Sequence, residues 1–321
     1  MAFTTNDEVV MSEAATVRIG SRASPLARWQ SEWIAGRLHE CGVDVEIVWI
    51  TTEGDVTTGP IGASSTPGLF TKEIQRALLD RRIDLAVHSL KDLPTEPIAG
   101  LRLASVPPRQ RCGDALISPV ADAVESLPEG ARIGTGSARR RAQLLHWRPD
   151  LKMLDLRGNV DTRLRKLDEG QYDAIVLAEA GLVRLGLEHR ITSVLPASRV
   201  LPAVGQGALG LETRADDERT IRCLEPLNDP ATFTCVAAER SLLATLRGGC
   251  VAPVGAWARI EDGLLRIEGV VLDRDGRKRL LAERKGALTL ESATALGAEV
   301  AQELLAHGAA ELIASIREST T

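Results

Sequence analysis

The chain has 321 residues, of which 44% are hydrophobic and 26% charged, and its formal net charge is −5. This composition is that of a globular protein and excludes collagen-like, disordered and disulfide-stapled chains. The length predicts two or three domains, at roughly 100–200 residues each. No apolar run reaches the about 20 residues that span a bilayer, and the polar, acidic N-terminus is not typical of a secretory signal. We therefore expect a cytoplasmic protein with no membrane partner.

Basic residues are concentrated in one segment. Residues 132–166 contain ten Arg or Lys and three Asp, a net charge of +7 that leaves −12 for the rest of the chain. Arg outnumbers Lys 33 to 6, and its planar guanidinium suits bidentate binding of carboxylate or phosphate. The segment can also be a solvated helix face. Nine aromatic residues supply few stacking platforms for nucleic acid, so we expect a local anion site and no nucleic-acid partner.

Strand and helix patterns alternate in two successive rounds. The first predicts strands at 16–20, 45–51 and 84–88, with helices from Pro25 and at 71–80. The second predicts strands at 131–134, 153–156 and 173–177, with helices at 138–147 and 160–169. VRIGSRAS in the first round is echoed by ARIGTGSA in the second, and DLAV by DAIV. We interpret the rounds as two related α/β lobes, although echoes this short can arise by coincidence.

The pattern changes after Asp229-Pro230. A helix is predicted at 231–246, strands at 254–260, 264–272 and 279–284, and one long amphipathic helix at about 292–317. This predicts a smaller α+β domain at the C-terminus.

Ser24 and Ser137 stand where a predicted strand gives way to a helix. Free backbone N–H groups and the helix dipole make such a junction an anion site, and ligands of open α/β sheets lie outside the carboxyl ends of the strands. Two such junctions facing one cleft would bind a ligand with several negative charges. Taken singly, either serine can be no more than a helix cap.

Three further features could carry chemistry. Asp92 follows a predicted buried strand in the stretch HSLKDLP, and it can be a catalytic carboxylate or a turn aspartate. His88 in the same stretch is expected to be a hydrogen-bonded core histidine. Cys250, on a glycine-flanked loop, can be a nucleophile, an attachment point or a core residue. The five cysteines form no C-x-x-C pair and have no nearby His pair, so we expect neither a disulfide framework nor a metal site.

Eight segments in order resemble the porphobilinogen deaminase family, also called hydroxymethylbilane synthases. They span residues from about 18 to 257 and read IGSRASPLARWQ, GLFTKEI, DLAVHSLKDLPT, GTGSARRRAQL, RPDLKMLDLRGNVDTRL, YDAIVLAEAGLVRLGL, LPAVGQGALG and LRGGCVAPVGA. The resemblance implies an α/β fold with two lobes like those of periplasmic binding proteins and a smaller α+β C-terminal domain. It implies lobe 1 at 16–108 and 206–226, lobe 2 at 112–202 and the C-terminal domain at 230–321, after a disordered extension at 1–15.

The resemblance also implies an activity. The family condenses four porphobilinogen molecules head-to-tail onto a covalent dipyrromethane primer, releases ammonia, and hydrolyses the product off as hydroxymethylbilane. Cys250 would hold the single dipyrromethane of the chain through a thioether. Asp92 would be the catalytic group, a lone buried carboxylate that stabilises positive charge on pyrrole nitrogens. A monomer is expected, with porphobilinogen as its small-molecule partner.

Basic and small polar residues would make the other contacts. The resemblance implies cofactor contacts at Ser89, Lys91, Asp92, Thr135, Ser137, Arg139, Arg140, Arg157, Arg163 and Ala178. It implies substrate contacts at Arg22, Ser24, Arg157, Arg163, Arg184 and Gln206. One departure is Pro67, which stands where the family carries a lysine in a flexible lid, so we expect an active enzyme whose lid behaves differently.

Two other classes of function remain to be compared with this one. A non-catalytic two-lobed protein that binds a polycarboxylate or an oxyanion would explain the arginines and the helix junctions. It would not explain Cys250 in a third domain or Asp92 amid positive charge. Nucleic-acid binding through residues 132–166 would predict steep salt dependence, and only the charge run favours it.

Overall fold

The computed structural model describes residues 16–51, 71–248 and 252–318. The strands are β1 Val17–Ser21, β2 Val45–Trp49, β3 Leu85–Ser89, β4 Leu101–Ser105, β5 Asp114–Ile117, β6 Arg132–Gly134, β7 Lys152–Leu154, β8 Ala174–Ala178, β9 Ser193–Val194, β10 Leu209–Arg214, β11 Val254–Glu261, β12 Leu264–Leu272 and β13 Arg279–Gly286. The helices are α1 Pro25–Glu40, α2 Lys72–Leu79, α3 Ala138–Trp147, α4 Val160–Asp168, α5 Glu179–Arg184, α6 Glu218–Leu224, α7 Pro230–Leu246, α8 Leu290–Ala306 and α9 Ala309–Glu318.

Two five-stranded sheets share one topology. The first has the order β2-β1-β3-β10-β4 and the second the order β7-β6-β8-β5-β9. In each, three neighbouring strands are parallel, and a fourth strand runs antiparallel between the third strand and an edge strand. This confirms the prediction of two related α/β lobes. Because β10 follows the second sheet in sequence but completes the first, the chain crosses between the lobes twice, at 106–113 and 195–208.

Helix-start residues act locally as the sequence predicts. The Ser24 hydroxyl accepts a hydrogen bond from the Ala27 N–H at 3.4 Å, and Pro25 occupies the first turn of α1. The Ser137 hydroxyl accepts one from the Arg140 N–H, also at 3.4 Å. Both serines are therefore caps, and both also face cavities at the carboxyl ends of the strands.

The third sheet, β11-β12-β13, is an antiparallel meander that packs against α7 and α8. One prediction here is wrong, because two helices, α8 and α9, replace the single long helix expected at 292–317. Gly308 lies between them with φ at +97°, a left-handed conformation that ends an α-helix. Within the described ranges, no helix combines the length and the apolar composition needed to cross a membrane.

Candidate active site

The larger cavity, of about 260 Å³, is lined by residues of both lobes and of the C-terminal region. Its charged lining residues are Lys91, Asp92, Arg139, Arg140, Arg157 and Arg163. Asp92 is thus the single acid among five cations in the described lining of this cavity. Ser137, Gln206 and Leu243 complete the wall together with Ala252 and other small or apolar residues.

Arg139 and Arg140 are buried and share one protein carboxylate, Asp114. Arg139 Nη1 donates to Asp114 Oδ2 at 2.6 Å and Arg140 Nε donates to Asp114 Oδ1 at 2.8 Å. Gln206 Nε2 also donates to Asp114 Oδ1, at 3.0 Å. Burial would raise the pKa of Asp114, but the two guanidinium groups outweigh it and hold that pKa well below its usual range.

The remaining cations are Lys91, Arg157 and Arg163, which line the cavity from the 3-10 turn Leu90–Asp92, the loop before α4, and α4. Arg163, on α4, is half-buried and donates to the Gly158 carbonyl at 2.7 Å. Burial and the nearby positive charges of Arg140 and Arg157 together lower its pKa to about 10. Lys91, in the 3-10 turn Leu90–Asp92, has its pKa lowered to about 8, chiefly by burial and against the opposing charge of Asp92. Crowded like charges with so few acids fit an anionic ligand.

Asp92 lines both the larger cavity and a neighbouring one of about 80 Å³. The prediction of a buried carboxylate is wrong for this structure, because Asp92 is exposed. It ends a short 3-10 turn at the tip of β3 and faces open cavity space. Its location between the two cavities agrees with a carboxylate that meets a ligand.

The smaller cavity brings together several predicted residues of lobe 1. Arg22, Ser24, Ser89 and Asp92 line it together with Gln30, Thr71 and His88. Gln30 Nε2 donates to Ser89 Oγ at 2.8 Å. His88 is buried, with Nε2 3.0 Å from Glu212 Oε2, as expected of a hydrogen-bonded core histidine.

Three predicted contact residues line neither cavity. Thr135 is buried and its hydroxyl accepts from the Ser137 N–H at 3.2 Å. Ala178 lies at the end of β8. Arg184 is buried, donates to the Gly207 carbonyl at 2.7 Å, and lies 5.8 Å from the centre of the Trp29 ring. The structure therefore positions Arg184 between the lobes.

Other predictions fall on residues outside the described ranges. These are the extension at 1–15, Pro67 of the expected lid, and Cys250. Ala252, the first described residue after Cys250, lines the larger cavity.

Sequence reasoning missed two acids that organise the site. Asp114 is one, and the other is Glu239 of α7, which is fully buried and paired with Arg109 at 2.7 Å. Glu239 also accepts from the Gly205 N–H at 2.7 Å and the Ala258 N–H at 2.9 Å. It thereby joins both crossovers between the lobes to the third sheet. The signal that could have found Asp114 is its position at the start of a wholly apolar strand. Asp84 and Asp173 stand in a similar position, at the start of two other apolar runs.

Comparison with known proteins agrees with this geometry. Residues 17–222 match the family described as "Porphobilinogen deaminase, dipyromethane cofactor binding domain", and residues 233–306 match "Porphobilinogen deaminase, C-terminal domain". A porphobilinogen deaminase of Acidithiobacillus ferrooxidans is 51% identical over 95% of this chain and 99% of its own length. One from Syntrophotalea carbinolica is 47% identical over 95% and 97%.

Among solved structures, a putative methionine-binding lipoprotein of Bacillus subtilis has a TM-score of 0.42 at 12% identity, covering 67% of this chain and 91% of its own. That TM-score is too low to support an argument about the fold, which the strand order establishes by itself. The two family matches and the near full-length identities are decisive. The chain belongs to the porphobilinogen deaminase family.

Proposed function

We propose that the larger cavity holds the dipyrromethane primer and the growing tetrapyrrole, with Asp92 as the catalytic group. As a porphobilinogen deaminase, the chain condenses four porphobilinogens onto that primer and releases hydroxymethylbilane. One observation carries the proposal: among the described residues, a single carboxylate faces a cavity lined by Lys91 and four arginines. We also propose the domain division 16–108 with 206–226, 112–202 and 230–321, which is supported by the strand order of the three sheets.

The donor set fits the cofactor. Each pyrrole carries an acetate and a propionate, so primer and substrates together present twelve carboxylates. Arg157 and Arg163 are suited to bind them, since guanidinium groups bind carboxylates in a bidentate manner. Arg139 Nε is a further buried donor with no hydrogen-bond partner among the described residues. Arg140, Lys91 and Ser137 line the same wall, and we propose all of these as contacts of the primer.

When bound, the dipyrromethane supplies a free pyrrole α-carbon as the nucleophile that extends the chain. Asp92 is the group that stabilises positive charge at a pyrrole N–H and holds or accepts a proton there. Lys91 lies near enough to Asp92 for the two opposite charges to attract each other. Arg22, Ser24 and Ser89 face the smaller cavity next to Asp92, and we propose that this cavity receives the incoming porphobilinogen.

The remaining contacts are proposals of the same kind. Gln206 lines the larger cavity, whereas Thr135, Ala178 and Arg184 would act from behind its wall.

We also propose a cytoplasmic monomer with no nucleic-acid or membrane partner. A two-lobed binding protein without catalysis is not favoured, since the matched relatives are named as deaminases over nearly their whole length.

The test is the intact mass of the purified protein, with peptide mapping around Cys250. We expect an excess equal to two pyrroles on the Cys250 peptide, absent from a Cys250→Ser variant. An unmodified Cys250 that stays unmodified after incubation with porphobilinogen would overturn the proposal and favour the binding protein.

A further inference from the structure

Asp114 is the common acceptor of Arg139 and Arg140, which form the arginine wall of the larger cavity. Its side chain is fully buried at the start of β5 and makes ion pairs with Arg139 at 2.6 Å and with Arg140 at 2.7 Å. Arg139 Nη1 is held further by the Leu201 carbonyl at 2.6 Å, and Arg140 Nη1 by the Val176 carbonyl at 3.1 Å. The guanidinium groups are therefore fixed by protein acceptors before any ligand arrives.

The location of the two arginines is unfavourable without Asp114. They are adjacent in the first turn of α3, where the helix dipole is positive and disfavours cations. They are also buried, which disfavours two like charges side by side. One carboxylate between them leaves the group with a single net positive charge and a defined geometry.

Asp114 is also connected to the crossovers between the lobes. Gln206 Nε2 donates to Asp114 Oδ1 at 3.0 Å and to the Cys112 carbonyl at 2.7 Å. The Gln206 carbonyl accepts from Arg109 Nε at 2.8 Å, and Arg109 is paired with Glu239. A continuous polar chain thus runs from Glu239 on α7 through Arg109 and Gln206 in the two crossovers to Asp114.

We propose that Asp114 is a positioning residue that sets the orientation and net charge of Arg139 and Arg140 for binding the carboxylates of the primer. The proposal rests on the function proposed above for the larger cavity. Asp114 does not line that cavity, so it acts through the arginines and through Gln206.

The experiment compares Asp114→Asn with a matched control, Asp84→Asn. Asp84 likewise accepts from two arginines, Arg18 and Arg214, each at 2.9 Å, but neither of these arginines lines a cavity. The readouts are the fraction of chains carrying the two-pyrrole mass, the KM for porphobilinogen of the loaded fraction, and the thermal unfolding midpoint. For Asp114→Asn we expect the loaded-to-unloaded ratio to fall, or KM to rise, about tenfold or more. For Asp84→Asn we expect a lower midpoint with loading and KM as in the wild type.

Asp114→Glu covers the case in which Asp114→Asn does not fold. It keeps the charge but moves the carboxylate by one methylene in a fully buried site, so a positioning role predicts a smaller loading or KM defect. If the folded Asp114 variants showed wild-type loading and KM, the positioning role would be overturned. The proposed function would still stand if the wild-type chain carried the adduct. A wild-type chain without the adduct would instead overturn the function on which the role depends.

Discussion

Arg18 holds Asp84 by three hydrogen bonds, from its backbone N–H at 3.1 Å, from Nε at 2.9 Å and from Nη2 at 2.9 Å. Arg132 holds Asp173 in the second lobe with the same three donors, at 2.7, 3.2 and 2.8 Å. In each lobe the arginine belongs to the central parallel strand and the aspartate precedes its neighbour. The similarity of VRIG and DLAV in the first lobe to ARIG and DAIV in the second therefore reflects the same arginine–aspartate ion pair, which is present once in each lobe.

The first prediction concerns this pair. Asp84→Asn should lower the free energy of unfolding by about 2 kcal/mol, because it removes the charge from hydrogen bonds made by two arginines. Asp173→Asn should cost less, about 1 kcal/mol, since its pair is more exposed to solvent. Urea unfolding at pH 7 measures both. Equal losses of unfolding free energy in Asp84→Asn and Asp173→Asn would contradict the expectation that the more exposed ion pair contributes less.

The pH dependence of the Asp84 effect follows from its pKa. Burial raises the pKa of Asp84, but hydrogen bonds from Arg18 and Arg214 outweigh it and leave the pKa lowered. A carboxyl with a lowered folded pKa stabilises the protein above its unfolded pKa of about 4, and this stabilisation is lost as pH falls through the folded value. The difference between wild type and Asp84→Asn should therefore be full at pH 7 and shrink below about pH 4.

Asp92→Asn should lower the rate of chain extension by about 10²–10⁴-fold, the usual contribution of a positioned acid or base. The amide retains the shape of the carboxylate but can neither stabilise the pyrrole cation nor accept a proton. Single-turnover assays with the primer already attached isolate this step. Glu96→Gln is the control, because Glu96 is an exposed carboxylate four residues away that lines neither cavity. A full rate in Asp92→Asn would exclude Asp92 as the catalytic group.

The lowered pKa of Lys91 predicts that kcat/KM for porphobilinogen falls at alkaline pH. Burial lowers the pKa of Lys91 to about 8 in the free protein, so the ammonium loses its proton as pH rises through 8. Its attraction for carboxylates then disappears, and kcat/KM, which reports the free enzyme, should fall on the alkaline side. Lys91→Arg should move this limb to higher pH because a guanidinium keeps its charge. An unchanged limb in Lys91→Arg would show that another group titrates there.

Arg157 and Arg163 should act at particular stages of chain growth. They line the larger cavity from the start of α4 and the loop before it, so each is suited to meet the carboxylates of only some pyrroles. We expect Arg157→Ala and Arg163→Ala to accumulate enzyme with different numbers of added pyrroles, as seen by intact mass. Arg165→Ala, on the same helix but outside the cavity lining, should match the wild type. Wild-type distributions in all three variants would remove the stage-specific role.

The sequence predicts elements of the two lobes and, through the family resemblance, all five cations in the described lining of the larger cavity, but not Asp114, the acid that holds Arg139 and Arg140. The parallel strands β1, β3, β6 and β8 are apolar runs next to helical patterns, which periodicity detects. The pattern does not predict β5 because no helix follows its four residues, DALI, before the next strand, and Asp114 is therefore missed too. Asp84, Asp114 and Asp173 each stand at or just before a buried strand and each pairs with arginine. Their partners lie 66, 25 and 41 residues away in sequence, so only the folded chain reveals them.

The last prediction tests how the C-terminal domain is attached to the arginine helix. Gly276, in the turn between β12 and β13, has φ at +72°, and a Cβ there would lie 2.4 Å from the Ala142 carbonyl oxygen of α3. The Gly276 carbonyl also lies 2.8 Å from His146 Nδ1. Gly276→Ala should therefore both strain the turn and separate the third sheet from α3.

Gly263 is the matched control, because its φ of +76° is similar but a Cβ there would meet nothing within 4 Å. We expect Gly263→Ala to cost about 1 kcal/mol of unfolding free energy, the strain of the left-handed backbone alone. Gly276→Ala should cost about 2 kcal/mol more, since rigid backbone must move. It should also raise the KM for porphobilinogen, because Ser137 caps α3 and the first turn of α3 carries Arg139 and Arg140. Equal losses in the two variants, with an unchanged KM, would mean that the third sheet does not help to position the arginine wall.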